Sequence, residues 1–323
     1  MTFECKERNE TAGPTPAPPA KDDMTEQHSQ APERSGGHSP AVPIAMLLVA
    51  MLSVQWGASI AKALFPILGA TNMAVLRILF STLFMAIALR PWKIRLDRGN
   101  WRALLLYGLA LGSMNLTFYQ ALERIPMGIA VAIEFVGPLG VVIATSRRAV
   151  DFLWALLAIA GLALLTPLGP DSHDLDPVGM GFALLAGLFW AIYILAGKRA
   201  GQDHGSRSAA AGMLISSALA LPFGVATASP VSVLLPVLPL VLAVGLLSGA
   251  IPYTLEMVAL RRMRPGTFGI LMSLEPAIAA MLGALTLQEH LPLLHWVAIC
   301  AVMTASAGAV LTAARTVRVA DAP

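Results

Sequence analysis

The chain has 323 residues, of which 56% are hydrophobic and 13% are charged, and its formal net charge is +3. A charged share about half that of an ordinary soluble domain excludes a globular protein with one large core and is typical of a polytopic membrane protein. Two widely separated cysteines, Cys5 and Cys300, are too few for a disulfide framework or a cysteine metal site.

The first 42 residues differ in composition from the rest of the chain. They are rich in Pro, Gly, Ser, Glu and Lys, and such a segment cannot bury enough apolar surface to order itself. We therefore predict a disordered polar tail over residues 1–42, on the cytoplasmic side. Although Ala61-Lys62-Ala63 resembles a signal-peptide cleavage site, the tail is too long and polar for a signal peptide, so the first apolar run is predicted to be a retained helix.

From Val42 onward, apolar runs of about 20 residues, the length that spans a bilayer, alternate with short breaks. They predict an all-α polytopic membrane protein with ten transmembrane helices and a short cytoplasmic tail over 315–323. The helices are expected near 43–65, 71–90, 101–121, 127–145, 150–168, 177–197, 208–228, 237–260, 266–287 and 293–314.

Positive charges accumulate on one side of these predicted helices. The breaks after even-numbered helices carry clusters such as Arg147-Arg148 and Arg261-Arg262, whereas the odd-numbered breaks hold almost no Lys or Arg. Because short cytoplasmic loops are enriched in Lys and Arg, both termini are predicted to be cytoplasmic. The acidic segment Asp171–Asp176 is then expected to face the outside.

The two halves of the membrane part resemble each other. YQALERIPMG at 119–128 aligns with MVALRRMRPG at 257–266, although the first break is predicted outside and the second inside. Five helices cross the membrane an odd number of times, so a duplicated five-helix unit must be inverted. We predict an inverted five-plus-five repeat with units at 43–168 and 176–314.

A glutamate and a proline interrupt the equivalent fourth and ninth helices. GIAVAIEFVGPLG contains Glu134 and Pro138, and GTFGILMSLEP contains Glu275 and Pro276. A proline cannot donate to the carbonyl four residues earlier, which in the first copy belongs to Glu134 itself. Paired, interrupted helices at matching places in two halves indicate the binding site of a transporter.

The ten-helix repeat with proline-broken fourth and ninth helices resembles the EamA branch of the drug/metabolite transporter superfamily. Within residues 44–312, the segments that carry this resemblance are QWGASIAKALFP, IAVAIEFVGPL, SRRAVDF, FWAIYILAGKRAG, PYTLEMVAL and TFGILMSLEPAIAA. The resemblance implies an exporter in the bacterial inner membrane, driven by protons, for small amino acids similar to threonine and homoserine. It implies a central cavity between the halves. Whether two copies of the chain form a homodimer stays undecided.

Five ionisable residues lie well inside predicted helices, and a charge at mid-helix costs about 2.5–3.5 kcal/mol even on the milder insertion scales. The five are Lys62, Arg77, Glu134, Glu256 and Glu275. Structural roles are also open. Lys62 can reach the interface, and Arg77 can pair with Glu134. Glu256 can pair with Arg261 or Arg262, and Glu275 can cap backbone groups that Pro276 frees.

An amino acid is a zwitterion, so its site needs a cation for the carboxylate and an anion or carbonyls for the ammonium. We predict that four charged and four polar residues bind the substrate, with the polar ones also suited to hydrogen bonds between helices: Lys62, Arg77, Glu134, Glu275, Gln55, Asn115, Tyr119 and Tyr193. Glu275, near the predicted midplane, and Glu134 are the candidates for proton coupling. No cofactor or metal site is predicted.

Other classes of protein lack their motifs here. HExxH and GxSxG are absent, Gly197-Lys198-Arg199 lacks the remainder of a phosphate-binding loop, and no ring of like charges suggests a channel. A carrier with a different substrate, such as a broader metabolite or drug exporter or an importer, stays open because residues do not reveal direction.

Overall fold

The computed structural model of the chain describes residues 41–93, 101–145, 149–165, 175–204, 206–263 and 265–320, and every regular element within them is helical. Several features predicted from sequence lie outside the described residues. These are the polar tail before residue 41, Arg147 and Arg148, and the acidic segment up to residue 174.

The first half of the chain forms helices that follow the predicted runs closely. They are α1 Ala41–Ala63, α2 Phe65–Leu68, α3 Ala70–Leu89, α4 Trp101–Arg124, α5 Met127–Glu134, α6 Val136–Thr145 and α7 Ala149–Leu165, with a 3-10 turn at Pro91–Lys93.

The second half begins after residue 174 and includes a wider helical turn. Its helices are α8 Pro177–His204, α9 Ser206–Ala226, α10 Val231–Gly245, α11 Ile251–Arg262, α12 Pro265–Met272, α13 Glu275–Thr286 and α14 Leu293–Ala320. A π-helical turn over Leu246–Ala250 joins α10 to α11.

Eight stretches of the described residues are long and apolar enough to cross a membrane, which confirms the all-α polytopic membrane protein. By this measure α7 is apolar but short, over Val150–Leu164, and α4 falls outside the eight. The eight are Ala41–Ala63, Ala70–Leu89, Met127–Ala144, Pro177–Arg199, Arg207–Ala226, Val231–Glu256, Thr267–Thr286 and Leu293–Thr312.

Two of these spans are interrupted just before a proline. α5 ends at Glu134, and α6 begins at Val136 after a single turn residue. α12 ends at Met272, and Ser273 and Leu274 form a turn before α13 begins at Glu275. Each interruption therefore places a glutamate beside the break, at the end of one short helix and at the start of another.

Glycines allow the first broken helix to approach its neighbours closely. A Cβ atom on Gly128 of α5 would overlap the backbone of Ala280 in α13. On the other side, a Cβ atom on Gly187 of α8 would lie 2.6 Å from the carbonyl oxygen of Glu134. Small residues at such crossings bring helix backbones together in membranes, so α5 is held between α13 and α8.

The largest buried apolar cluster occupies the end of the bundle where α1 and α4 end and α5 begins. Its fully or nearly fully buried members include Leu64, Phe65, Leu122, Ile125 and Met127. The described residues near the opposite end of α4 form a smaller, separate cluster around Leu104 and Tyr107. We call the first of these regions the α2 end of the bundle.

Candidate functional site

Arg77 of α3 is a buried cation, with 7% of its surface exposed. Its Nε donates to Ser248 Oγ and its Nη2 to the carbonyl oxygen of Ser248, both at 2.7 Å, while Nη1 donates to Asn115 Oδ1. The guanidinium carbon lies 5.7 Å from the centre of the Tyr119 ring. These contacts use three of the five N–H groups of an arginine, and no described carboxylate forms an ion pair with it.

Ser248 accepts two hydrogen bonds from this guanidinium, one with its hydroxyl and one with its carbonyl oxygen. The sequence analysis did not predict a role for this residue. It lies in the π-helical turn, and such turns are frequent at functional sites. Its carbonyl is also the one that Pro252, four residues later, cannot use as an acceptor. The proline rule that singled out Glu134 could therefore have found Ser248 as well.

Glu275 begins α13 with its carboxylate only partly bonded. Gln55 of α1 donates from Nε2 to Glu275 Oε1 at 3.0 Å. The other oxygen, Oε2, is buried and has no hydrogen-bond partner in the described part of the chain. A buried carboxylate oxygen accepts hydrogen bonds readily, so this atom can still receive a donor.

Glu134 ends α5 and is 6% exposed. No hydrogen bond or ion pair to a described residue reaches its carboxylate. It lies within electrostatic range of Arg77, which attracts it, and of Glu275, which repels it. The direct Arg77–Glu134 pair that the sequence left open is not formed, and the two carboxylates share this region with one guanidinium.

The tyrosines of the site differ in how their hydroxyls are used. Tyr107 and Tyr193 stack with ring centres 4.7 Å apart, and the Tyr107 hydroxyl donates to that of Tyr193 at 3.4 Å. Tyr119 packs its ring at 5.7 Å from that of Phe65, and its buried hydroxyl has no hydrogen-bond partner among the described residues. The Tyr193 hydroxyl therefore already accepts one hydrogen bond, whereas that of Tyr119 makes none of normal geometry.

Glu256 is grouped with these buried residues by its electrostatic interactions. It lies within electrostatic range of Glu275 and of the stacked pair Tyr107 and Tyr193. It forms no ion pair with Arg262, and the side chain of Arg261 is outside the described residues. The expected ion pair with Arg262 is thus not made.

Lys62 has its own contacts at the α2 end. Its Nζ donates to Glu289 Oε1 and to the carbonyl oxygen of Ile125, both at 2.7 Å. Glu289 Oε2 in turn accepts the backbone N–H of Met127 at 2.8 Å. This ion pair ties the end of α1 and the start of α5 to the segment after α13.

The structure thus joins six of the eight residues predicted to bind substrate. Hydrogen bonds, a cation–π contact or electrostatic range link Gln55, Arg77, Asn115, Tyr119, Glu134 and Glu275. We call these six residues, with Ser248, the central polar cluster. Lys62 is engaged with Glu289, and Tyr193 is engaged with Tyr107.

An apolar cavity of about 470 Å³ lies between α6 and α8. Its walls include Ile133, Gly137, Leu184 and Leu188, and all of its lining residues are apolar. A charged or zwitterionic molecule finds no charged partner there. Of the described residues, no group of three His, Cys, Asp or Glu side chains is arranged to hold a metal ion.

Comparison with known proteins agrees with the resemblance seen in the sequence. Residues 177–311 match the EamA-like transporter family. The chain is 47% identical over 274 residues to the threonine/homoserine exporter RhtA of Salmonella typhimurium (strain LT2), covering 85% of this chain and 93% of that protein. It is also 47% identical over 271 residues to RhtA of Escherichia coli (strain K12), covering 84% and 92% respectively.

A solved structure, described only as the crystal structure of a protein, supports the fold. It superimposes with a TM-score of 0.59 at 17% sequence identity, over 86% of this chain and 99% of that one. At this identity the similarity concerns the fold alone. The family match and the 47% identity to the two exporters, over most of the length of both proteins, show that the chain belongs to the EamA family of transporters.

Proposed function

We propose that the chain is a secondary transporter of the bacterial inner membrane that exports small amino acids similar to threonine and homoserine. The names of its relatives support this substrate class. The observation that carries the proposal is the unused bonding capacity of the central polar cluster. Arg77 keeps two N–H groups, and Glu275 keeps one buried carboxylate oxygen, without partners among the described residues.

A zwitterionic amino acid matches these unused groups in sign. Its carboxylate is placed on the guanidinium of Arg77, because arginine presents paired donors to a carboxylate. Its ammonium is placed on Glu275 Oε2, with Glu134 close enough to add attraction. Gln55, Asn115, Tyr119 and Tyr193 remain the candidates for hydrogen bonds to the substrate side chain.

Lys62 stands apart from this arrangement. Substrate binding by Lys62 stays a prediction, and its contacts with Glu289 and Ile125 support a second role. We propose that this ion pair helps close the α2 end of the bundle, where the largest apolar cluster lies. Release of substrate at that end would then require the pair to separate.

For the membrane topology we propose ten spanning segments in an inverted five-plus-five repeat, with both termini cytoplasmic. The two further spans would be α4 and α7. Polar residues lower the hydropathy of α4, yet Tyr107, Asn115 and Tyr119 are all buried inside the protein rather than exposed to lipid. The breaks at Phe135 and at Ser273 fall at equivalent positions of the two aligned segments, which supports the repeat.

Proton coupling is proposed to act through Glu275, with Glu134 as the alternative. A charged carboxylate in an apolar bundle is costly unless a cation or a proton neutralises it. The substrate ammonium and a proton can therefore compete for one carboxylate. A proton arriving from outside would displace the substrate, and substrate arriving from the cytoplasm would displace the proton.

The function is tested by transport in inside-out vesicles, in which export appears as uptake. We expect saturable uptake of labelled threonine that homoserine inhibits, that a pH gradient increases and that vesicles without the protein lack. A quaternary ammonium dye serves as the unrelated cation. Uptake of the dye without uptake of threonine would contradict the proposal and favour a broader drug exporter.

For coupling, we expect Glu275→Gln to abolish accumulation driven by the pH gradient while exchange of internal for external substrate persists. Glutamine keeps the shape of the side chain but cannot take up a proton or attract the ammonium. A hydrogen bond to a charged group contributes about 1.5–3 kcal/mol, so substrate affinity should fall at least about tenfold.

Glu134→Gln is expected to abolish transport with the protein still inserted, and Glu256→Gln to reduce it less. Glu123→Gln is the matched control, because Glu123 is exposed and pairs with Arg124 on the surface. The coupling role of Glu275 is refuted by a Glu275→Gln variant whose accumulation still follows the pH gradient.

The topology is tested by cysteine labelling in a chain with Cys5 and Cys300 replaced by serine. Ala228 is exposed after α9, and Trp92 is 67% exposed after α3. A membrane-impermeant maleimide should label Ala228→Cys in intact cells and Trp92→Cys only after the inner membrane is permeabilised. The reverse pattern would show that the proposed orientation is wrong.

A further inference from the structure

We propose that the Tyr119 hydroxyl binds the side-chain hydroxyl of the substrate and thereby sets a preference for hydroxylated amino acids over their apolar isosteres. This inference rests on the proposed function and assigns one task to one atom. Three observations support it: the Tyr119 ring lies beside Arg77, its buried hydroxyl makes no hydrogen bond of normal geometry to a described residue, and the other candidate residues already form hydrogen bonds.

The ring of Tyr119 is held firmly beside the cation that is proposed to take the substrate carboxylate. Its centre lies 5.7 Å from the guanidinium carbon of Arg77 and 5.7 Å from the centre of the Phe65 ring. Only 1% of the residue is exposed. Asn115, one helical turn earlier on α4, also contacts Arg77, so α4 presents Tyr119 and Asn115 to the same cation.

The hydroxyl of this tyrosine is buried and lies close enough to the Ser248 side chain to interact with it, but within the described ranges no hydrogen bond of normal geometry reaches it. Buried polar atoms are nearly always hydrogen-bonded, and an exception requires an explanation. Phenylalanine would fill the same space without that cost, so packing alone does not account for a hydroxyl here. A ligand that brings its own hydroxyl to this position does account for it.

Each of the other residues predicted to contact the substrate side chain already makes at least one hydrogen bond within the described residues. Asn115 accepts from Arg77 with Oδ1 and donates from Nδ2 to the carbonyl of Leu111 at 2.7 Å. Gln55 donates its amide to Glu275, and the Tyr193 hydroxyl bonds to that of Tyr107. Among the four, Tyr119 is therefore the one whose only polar side-chain atom makes no hydrogen bond of normal geometry to a described residue, and its ring adjoins Arg77.

Such an arrangement discriminates by leaving a polar group unpaired when the wrong substrate binds. A site built to bond a substrate hydroxyl can reject an analogue that lacks it far more strongly than an apolar pocket rejects an extra hydroxyl. Valine has the shape of threonine with a methyl group in place of the hydroxyl. The structure therefore assigns to Tyr119 the discrimination between threonine and valine.

The test is Tyr119→Phe, measured as the concentrations of threonine and of valine that half-inhibit uptake of labelled homoserine into inside-out vesicles. We expect the threonine value to rise up to about tenfold, the worth of one neutral hydrogen bond. The valine value should stay the same or fall, so that the ratio between the two values collapses. Phenylalanine keeps the ring contacts with Arg77 and Phe65, so the variant is expected to fold.

Tyr107→Phe is the matched control, because it also removes a buried tyrosine hydroxyl, but one that is bonded to Tyr193. Its threonine-to-valine ratio should equal that of the unmodified protein. Thermal unfolding gives a second readout. Loss of a structural hydroxyl lowers the unfolding temperature, whereas removal of an unpartnered hydroxyl should leave it unchanged or raise it.

Failure of this inference is distinguishable from failure of the proposed function. If the unmodified protein transports threonine and Tyr119→Phe keeps the full preference for threonine over valine, the role of Tyr119 is refuted and the transport proposal stands. If the unmodified protein takes up neither threonine nor homoserine, the proposed function fails, and the inference fails with it.

Discussion

The central polar cluster depends on the cost of holding the Arg77 guanidinium charge inside an apolar helical bundle, because that charge must find polar partners there. A charge at the centre of a membrane helix is expensive, and here Arg77 is bonded to Ser248 and Asn115 and lies against the ring of Tyr119. These partners come from the π-helical turn and from α4. One side chain therefore links α3, α4 and that turn. Glu134 lies within electrostatic range of Arg77 without a direct ion pair, and Glu275 lies within range of Glu134.

Two prolines near the central polar cluster, Pro138 and Pro252, lack the N–H that would bond the carbonyl four residues earlier. The two carbonyls that are freed in this way have different neighbours. The carbonyl of Ser248, which Pro252 cannot bond, accepts from Arg77 at 2.7 Å. The carbonyl of Glu134, which Pro138 cannot bond, lies against the backbone of Gly187, where a Cβ atom would be 2.6 Å away. A close Cα–H contact is a weak partner for a carbonyl. The Ser248 carbonyl thus helps to hold the Arg77 charge, whereas the Glu134 carbonyl lies where α5 and α8 cross closely.

Much of the fold and part of the site could be predicted from the sequence because the signals are local. Apolar runs and the Glu–Pro segments indicated the helices and the broken spans. The search for charges inside helices singled out Arg77, Glu134 and Glu275, which are buried in the structure. Pairings across the fold could not be predicted, because Arg77 and Ser248 are 171 residues apart and Lys62 and Glu289 are 227 apart. The sequence around Lys62, near a helix end, does not show whether its partner is a substrate, a lipid or a distant glutamate such as Glu289.

The central claim is that one buried cation and one buried carboxylate together hold a zwitterion. The most direct measurement is competition for labelled threonine bound to the purified protein, using threoninol, which lacks the carboxylate, and N-acetylthreonine, which lacks the ammonium. The account predicts that neither analogue competes at concentrations at which unlabelled threonine displaces the label fully, because each leaves Arg77 or Glu275 without its partner. Competition by either analogue as strong as that by threonine would contradict it.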